Sequence, residues 1–327
     1  MTLVKVPVSE GNIPFKYSTL PKLCYTWYRL YGTIKADGPR PLVVLHGGPG
    51  VPHNYMESLK SMAYPPYNRP VIMYDQLGCG KSTHIPEMNG DKGREFWTVK
   101  LFLAELENVV KYFGIQDSYD VLGNSWGGML GAEHAITQPK GLNKLVVADS
   151  PADMVDWVRV ANGLRKGLPK KIQETLERCE REGKTETKEY EEAVQVFYDK
   201  HVCRIVPNPE DVQESFRLLA EDNTVYLTMN GPSEFFVIGT LKYWNIKSQL
   251  HMIKVPVLLI NGKFDEAQDE CVMPYFQGIE HVKWVHFAES AHMPHWEERD
   301  RYMQVVGAFL DDSPKSLSSQ FTKKLKL

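Results

Sequence analysis

The stretch SYDVLGNSWGGMLGAEHA, residues 118–135, decides the fold class of this protein. A short apolar run with a strand pattern leads into Gly123-Asn124-Ser125-Trp126-Gly127, and a helical pattern follows directly. This is the G-x-S-x-G spacing, in which a serine lies on a strained turn between strand and helix and glycines let the neighbouring chain approach. A helix start with Ser125 as its N-cap is the alternative interpretation. The strand before and the helix after the motif favour Ser125 as a nucleophile.

The rest of the chain alternates between strand patterns and helical patterns in the same way. Helical spacing of apolar residues predicts a helix over 96–114, with Gly114 as its end. Strand-like runs ending in loops lie at residues 24–32, 41–50, 70–80, 144–150, 255–262 and 282–290. Strands that alternate with helices indicate βαβ units. We therefore expect an α/β fold with a mostly parallel central sheet and helices on both faces.

Residues 153–222 differ in character from the sheet-forming parts of the chain. They are rich in Glu and Lys, helical in pattern and free of strand-like runs, and they are too many for one crossover between strands. This predicts a helical cap inserted into the sheet domain. We expect a core at 1–150 and 240–312, a cap at 151–239, and a disordered tail at 313–327.

Composition and charge exclude several classes of partner. The 327 residues are 43% hydrophobic, enough for a sizeable core, and 38 Lys and Arg against 41 Asp and Glu give a formal charge of −3. Such a balance does not favour binding to nucleic acid or to an anionic membrane. No apolar run approaches the roughly 18 residues that a membrane span needs. The expected partner is a small molecule.

The cysteines and the two ends of the chain bear on its location in the cell. Five cysteines, an odd number with no C-x-x-C spacing, predict neither a disulfide framework nor a zinc site. Met1 to Ser18 lacks the apolar core of a secretory signal, so we expect a cytoplasmic protein. The final FTKKLKL is a weak peroxisomal alternative, because Leu325 stands where a small residue is expected.

A serine nucleophile needs a general base, which in enzymes with this motif follows a late strand. His292 lies just past the strand-like VKWVHF and before a helical pattern, and this position fits the base. His295 is the competitor, but it is expected to begin the following helix. His286 lies inside the strand, and His46 precedes a Gly-rich loop that it is expected to order.

The acid that orients the histidine is expected in a loop after another late strand. Asp265 follows VPVLLINGK almost directly and is our choice. Asp149, at the end of the preceding strand, is the rival, and Asp269 lies too far into the next segment.

Backbone amides complete the expected site. The tetrahedral intermediate needs two N–H donors, which we assign to Trp126, directly after the nucleophile, and to Gly48 in the loop HGGPG, residues 46–50. The Gly-rich GCGKS at 78–82 does not match a phosphate-binding loop, because Asp75 occupies a required glycine position. No cofactor or metal is expected for this chemistry.

Several of these motifs together resemble one enzyme family. The segments are HGGPG (46–50), YDQLGCGKS (74–82), GNSWGG (123–128), MNGPSEF (229–235) and FDE (264–266), with His292 near the end. In this order they resemble the proline iminopeptidase family of α/β-hydrolases, most closely its tricorn-interacting aminopeptidase type. Leu77 departs from the pattern, since proline-restricted bacterial members carry Arg there, and this weakens strict specificity for proline.

The resemblance implies an α/β-hydrolase fold and a serine hydrolase that releases an unblocked N-terminal residue from short peptides, amino acid amides or arylamides. It also implies that Glu234 and Glu266 hold the substrate's ammonium group. An ammonium in a partly dry pocket does need carboxylate partners, although surface solvation of both acids is the plain alternative. A hydrolase of small esters, lactones or amides and a non-catalytic receptor are the other interpretations.

An apolar pocket for the first side chain is expected near these acids. The candidate lining residues are Trp126, Phe235, Phe236, Tyr243 and Trp244.

Overall fold

The computed structural model describes residues 5–311 as an eight-stranded sheet with helices packed around it. The strands are Val8–Phe15 (β1), Cys24–Tyr31 (β2), Leu42–Leu45 (β3), Val71–Tyr74 (β4), Tyr119–Asn124 (β5), Leu142–Ala148 (β6), Val257–Gly262 (β7) and Val282–Phe287 (β8). Their order is β1-β2-β4-β3-β5-β6-β7-β8. The first two pairings, β1 with β2 and β2 with β4, are antiparallel, and the other five are parallel. The predicted α/β fold is confirmed.

The helices follow the strands in the alternation that the sequence pattern indicates. They are Gly90–Phe96 (α1), Val99–Tyr112 (α2), Trp126–Ile136 (α3), Met154–Arg165 (α4), Lys170–Glu182 (α5), Lys188–His201 (α6), Glu210–Glu221 (α7), Thr224–Met229 (α8), Asp269–Gly278 (α9), Pro294–Glu297 (α10) and Arg299–Leu310 (α11). Short 3₁₀ segments lie at His53–Ala63, Thr240–Tyr243 and Lys247–Met252. Within residues 5–311, no helix is both long and apolar enough to cross a bilayer.

One local prediction was wrong in detail, and one strand was missed. The single helix expected over 96–114 is interrupted between α1 and α2, because Thr98 leaves the helical conformation and its side chain caps α2 by accepting from the Leu101 N–H. Strand β1 was not predicted. Gly11 and Pro14 weaken its strand pattern, and it is an edge strand paired only with β2.

Alternate residues along the strands enter two apolar clusters. Val43 and Leu45 of β3 pack with residues of α2 and α3, whereas Leu42 and Val44 pack with residues of α11. Because side chains of a strand alternate between its two faces, these clusters are the two covered faces of the sheet. All four residues of β3 are buried, as expected for a central parallel strand.

The segment between β6 and β7 holds five helices, α4 to α8, and no strand of the sheet. Residues of α5 and α6 form a separate apolar cluster with Phe235, while α4 also contributes Met154, Trp157 and Val160 to a core cluster of the sheet. The division into a core and a cap at 151–239 stays a prediction. The expected disordered tail and the C-terminal Lys-Leu lie outside the described residues.

The parallel strands run in one direction, so their carboxyl ends meet along one edge of the sheet. The loop with Gly48 follows β3, Ser125 follows β5, Asp149 follows β6, Asp265 follows β7 and His292 follows β8. The fold thus gathers residues that are far apart in the chain.

Candidate active site

Ser125 occupies the sharp turn between β5 and α3. Its backbone angles are φ 57° and ψ −127°, a conformation that a non-glycine residue rarely adopts and that lifts the side chain off the strand. A Cβ added to Gly123 would lie 2.0 Å from the Gly127 carbonyl oxygen, and one added to Gly127 would lie 2.1 Å from that of Leu45. Glycine is therefore required at both flanking positions of the motif by close backbone packing.

His292 and Asp265 are joined by a hydrogen bond. His292 Nδ1 lies 2.7 Å from Asp265 Oδ1, which also accepts from the Ala267 N–H at 2.8 Å. The His292 backbone is held on both sides, since its N–H donates to the Val202 carbonyl at 3.1 Å and its carbonyl accepts from Asn124 Nδ2 at 3.3 Å. The imidazole is thereby fixed in orientation and lines the same cavity as Ser125.

Asp149 lies near Asp265 and is not hydrogen-bonded to the histidine. It is fully buried, and its Oδ2 accepts from Asn124 Nδ2 at 3.0 Å. Burial and the nearby charge of Asp265 raise the pKa of Asp149 well above its usual value.

The competing histidines make other contacts. His295 is buried, contacts the Tyr55 carbonyl at 3.1 Å through Nε2, and burial lowers its pKa to about 3. His46 accepts from the Gln76 N–H at 2.9 Å, and burial lowers its pKa to about 4. His286 lies in β8, 3.5 Å from Asp269. None of the three is a lining residue of the cavity that contains Ser125.

The two expected oxyanion donors flank the serine. Trp126 is the first residue of α3, so its N–H belongs to the positive end of that helix. Gly48 has φ +106° and lines the cavity together with Ser125. The side chain of Trp126 is buried, and its Nε1 donates to Gln76 Oε1 at 2.8 Å.

Glu234 and Glu266 both line this cavity. Glu234 Oε1 accepts from the Tyr226 hydroxyl at 2.6 Å, and burial raises the pKa of the Glu234 carboxyl. Glu266 is 1% exposed, and its Oε1 lies 3.9 Å from His292 Nε2. Burial and the charges of Glu234 and Asp265 raise the pKa of Glu266 well above its usual value. Among residues 5–311, its Oε2 has no hydrogen-bond partner.

The cavity has a volume of about 840 Å³ and is open on one side. It runs from Ser125 and His292 to the helices between β6 and β7. Its aromatic lining residues are Tyr55, Tyr190, Tyr198, Phe216 and Tyr226. Within the described part of the chain, no group of three or more His, Cys, Asp or Glu side chains is arranged to hold a metal ion.

Most of the predicted aromatic lining residues lie elsewhere. Phe235 packs against Phe197, with ring centroids 4.9 Å apart, and Phe236 packs against the same cluster. Tyr243 is 76% exposed, and Trp244 Nε1 donates to Glu133 at 2.9 Å. Trp126 alone among the five lies beside Ser125, in a small adjoining pocket. The tyrosines that line the cavity were missed because their helices are generic in sequence.

A family model described as the alpha/beta hydrolase fold matches residues 40–299. The proline iminopeptidase of Saccharolobus solfataricus is 35% identical over 285 residues, which cover 87% of this chain and 88% of that protein.

Two crystal structures are similar over nearly the whole chain. VinJ is 44% identical with a TM-score of 0.87, covering 92% of this chain and 98% of its own. The proline iminopeptidase of Mycobacterium smegmatis is 41% identical with a TM-score of 0.82, covering 92% and 97%. With this similarity and with Ser125, Asp265 and His292 gathered at one edge of the sheet, the chain belongs to the proline iminopeptidase family of α/β-hydrolases.

Proposed function

We propose that this protein is a serine hydrolase that releases an unblocked N-terminal residue from short peptides, amino acid amides or arylamides. One observation carries the proposal: Glu234 and Glu266 face the same cavity as Ser125 and His292, and both carboxyl groups have raised pKa values. Two carboxylates held close together in low dielectric need either a proton or a bound cation. The ammonium group of a free amino terminus supplies one beside the serine.

In the proposed mechanism, Ser125 attacks the carbonyl carbon of the first residue. His292 Nε2 takes the serine proton and later gives it to the leaving amine, while Asp265 holds the Nδ1–H tautomer. The N–H groups of Gly48 and Trp126 stabilise the oxyanion. Water then hydrolyses the acyl-enzyme by the same route, and no cofactor takes part.

Binding of the ammonium group by Glu234 and Glu266 would restrict cleavage to the bond after the first residue. An ammonium group has three N–H donors. Glu266 Oε2 and the Glu234 carboxyl, held by Tyr226, are positioned to accept them. Because Glu266 Oε1 is only 3.9 Å from His292 Nε2, the ammonium is placed within one residue of the reacting carbonyl. An acetylated amino group has lost the charge, so it leaves the carboxylates without a partner.

The cavity volume supports substrates larger than a single residue. A volume of about 840 Å³ is at the upper end of the roughly 300–1,000 Å³ of small-molecule sites. The tyrosines that line it offer both apolar surface and hydroxyl groups to the leaving group. Leu77 is fully buried and is not among the lining residues, so it supplies no charge to the site.

We also propose a cytoplasmic location. All five cysteines lie within residues 5–311 and are free and buried, a state that a reducing compartment maintains.

The deciding experiment compares free and N-acetylated forms of the same aminoacyl arylamides, with proline, alanine and leucine as the first residue. We expect hydrolysis of the free forms and a loss of at least about 100-fold in kcat/KM on acetylation, since a buried ion pair is broken. Equal rates on both forms would favour an amine-independent esterase or amidase and contradict the proposal.

Ser125→Ala is the matched control, with an expected loss of about 10⁶-fold in kcat. A fluorophosphonate should label the wild type and not this variant. Unlabelled wild-type protein would instead indicate a non-catalytic member of the fold.

A further inference from the structure

Asp149 is a buried carboxyl group that the proposed mechanism leaves unused. It follows β6 directly, has a left-handed backbone with φ +53° and is 0% exposed. It lies close enough to Asp265, which we take as the acid that orients His292, for the charge of Asp265 to act on it. The inference below therefore rests on the proposed function.

In both Asp149 and Asp265, one carboxyl oxygen receives hydrogen bonds and the other receives none within residues 5–311. Asp265 Oδ1 receives two donors, His292 Nδ1 at 2.7 Å and the Ala267 N–H at 2.8 Å. Asp149 Oδ2 receives one, from Asn124 Nδ2 at 3.0 Å. The remaining oxygens, Asp149 Oδ1 and Asp265 Oδ2, receive none from any other group in residues 5–311. Two ionised carboxyl groups close together and away from water would repel each other strongly, and one shared proton removes that repulsion.

Asp149 is the better site for this proton. The charge of Asp265 is stabilised by two N–H groups on one oxygen, whereas Asp149 has a single neutral amide donor. Burial and the charge of Asp265 also raise the pKa of Asp149 well above its usual value, and the charge of Glu297 adds to the effect.

We propose that Asp149 is a positioning residue that stays protonated and donates a hydrogen bond from Oδ1 to Oδ2 of Asp265. This bond holds the second oxygen of Asp265, so that the first stays directed at His292. No bond to substrate is involved, and Asp149 acts only through Asp265.

Asn124 extends the arrangement to the loop with Gly48. Its Nδ2 donates both to Asp149 and to the His292 carbonyl, and its Oδ1 accepts from the Tyr55 hydroxyl at 2.9 Å. That hydroxyl in turn accepts from the Gly47 N–H at 2.7 Å. One continuous network therefore joins the acid, the histidine backbone and the oxyanion loop, with Asp149 at its buried end.

The test compares Asp149→Asn with Asp149→Ala on a free aminoacyl arylamide. Asparagine keeps the whole pattern, because its oxygen can accept from Asn124 and its amide can donate to Asp265, and it tolerates a left-handed backbone. We expect Asp149→Asn to keep kcat within about threefold of the wild type. Asp149→Ala should lower kcat about 10- to 100-fold with little change in KM, since Asp265 Oδ2 loses its donor.

Asp120 offers a matched control for loss of a buried carboxyl group. It lies in β5, the strand that ends at Asn124, is fully buried, pairs with Arg69 at 2.7 Å and is not a lining residue of the cavity. Asp120→Asn should lower the melting temperature and leave the kcat of the folded enzyme unchanged. If Asp120→Asn lowered kcat as much as Asp149→Ala does, the loss at Asp149 would be due to general destabilisation of the fold. That result would overturn the proposal.

Infrared difference spectra between wild type and Asp149→Asn, both measured near neutral pH, supply a readout that does not depend on activity. The wild type should show the carbonyl band of a protonated carboxyl group that the variant lacks. Absence of that band overturns the proposal even if Asp149→Ala fails to fold. So does an Asp149→Asn variant as impaired as Asp149→Ala, or a folded Asp149→Ala variant with wild-type kcat. Failure of the proposed function is distinguished by the wild type itself, which would then hydrolyse free and N-acetylated aminoacyl arylamides at equal rates, whatever the Asp149 variants do.

Discussion

Two pairs of acidic side chains lie on opposite sides of His292, and they differ in how their repulsion is relieved. Asp149 and Asp265 lie behind the imidazole, sealed from the cavity and tied to Asn124 and Ala267. Glu234 and Glu266 lie in front of it and line the cavity. We call Asp149 and Asp265 the sealed pair and Glu234 and Glu266 the open pair. The repulsion in the sealed pair can be relieved only by a proton held between its carboxyl groups, whereas the open pair can release its proton and bind a substrate cation instead. Burial alone therefore does not decide what an acidic pair does; access to the cavity does.

The largest expected effect is on the sealed pair. Asp265→Asn should lower kcat about 10⁴-fold with KM nearly unchanged, because an amide favours the wrong imidazole tautomer. Steady-state kinetics on a free aminoacyl arylamide measure this. A loss that falls on KM instead would show that Asp265 belongs functionally with the open pair.

Glu266→Gln should act mainly on KM, whereas Asp265→Asn acts on kcat. We expect kcat/KM for free aminoacyl arylamides to fall about 10- to 100-fold, mainly through KM, because a charged partner of the ammonium is replaced by a neutral one. The slow hydrolysis of a simple aryl ester without an amino group should change little. Glu270→Gln, at an exposed ion pair with Arg159, is the control and should match the wild type. If Glu266→Gln and Glu234→Gln both left free-amine substrates unaffected, the amine site would be wrong.

The pH dependence of KM separates the pairs further. Because the pKa of Glu266 is raised by burial and by Glu234 and Asp265, the open pair holds a proton in the free enzyme at low pH. That proton competes with the substrate ammonium, so KM for free-amine substrates should fall as pH rises above the ordinary glutamate pKa of about 4.3, before the substrate amine itself loses its charge near about pH 8. The same profile in Glu266→Gln should be flatter. An unchanged profile would place the titrating group elsewhere.

The smallest expected effect is on stability. A carboxyl group whose pKa is raised on folding binds more protons in the native state than in the unfolded state, so its contribution destabilises the fold as pH rises above the unfolded value of about 4.3. Glu266→Gln should therefore raise the melting temperature at about pH 8 by about 2–4 °C, and by less at about pH 4. Calorimetry at the two pH values measures this. A stabilisation that is equal at both would show that repulsion in the open pair is not its cause.

The sequence predictions were most accurate where the structure depends on a regular pattern of neighbouring residues in the chain. The runs that predicted strands at 41–50 and 255–262 contain β3 and β7, since apolar runs bounded by turns depend on neighbours in the chain. The helix at 96–114 was wrong at one point because the Thr98 cap is a single side-chain hydrogen bond inside a continuous apolar pattern. Strand β1 was missed because its partner β2, and not its own residues, makes it a strand.

In the candidate site as well, some residues were predictable from local sequence patterns and others depend on tertiary contacts. Ser125 was predictable because its strained turn needs glycines at fixed spacing, and Asp265 and His292 because each follows a strand pattern. Asp265 was preferred over Asp149 as the acid, and only the side-chain contacts show that Asp265 is the one bonded to the histidine while Asp149 lies near Asp265.

By itself, the sequence determined the strand and helix alternation, the turn at Ser125 and the order of the chemical groups, because periodicity and backbone sterics act over a few residues. Only the tertiary structure decided which aromatic side chains line the cavity, which carboxyl oxygens lack a donor and which acids have raised pKa values. Those properties arise from burial and from charges brought together across the ends of β3, β5, β6, β7 and β8, and no local pattern in the chain carries them.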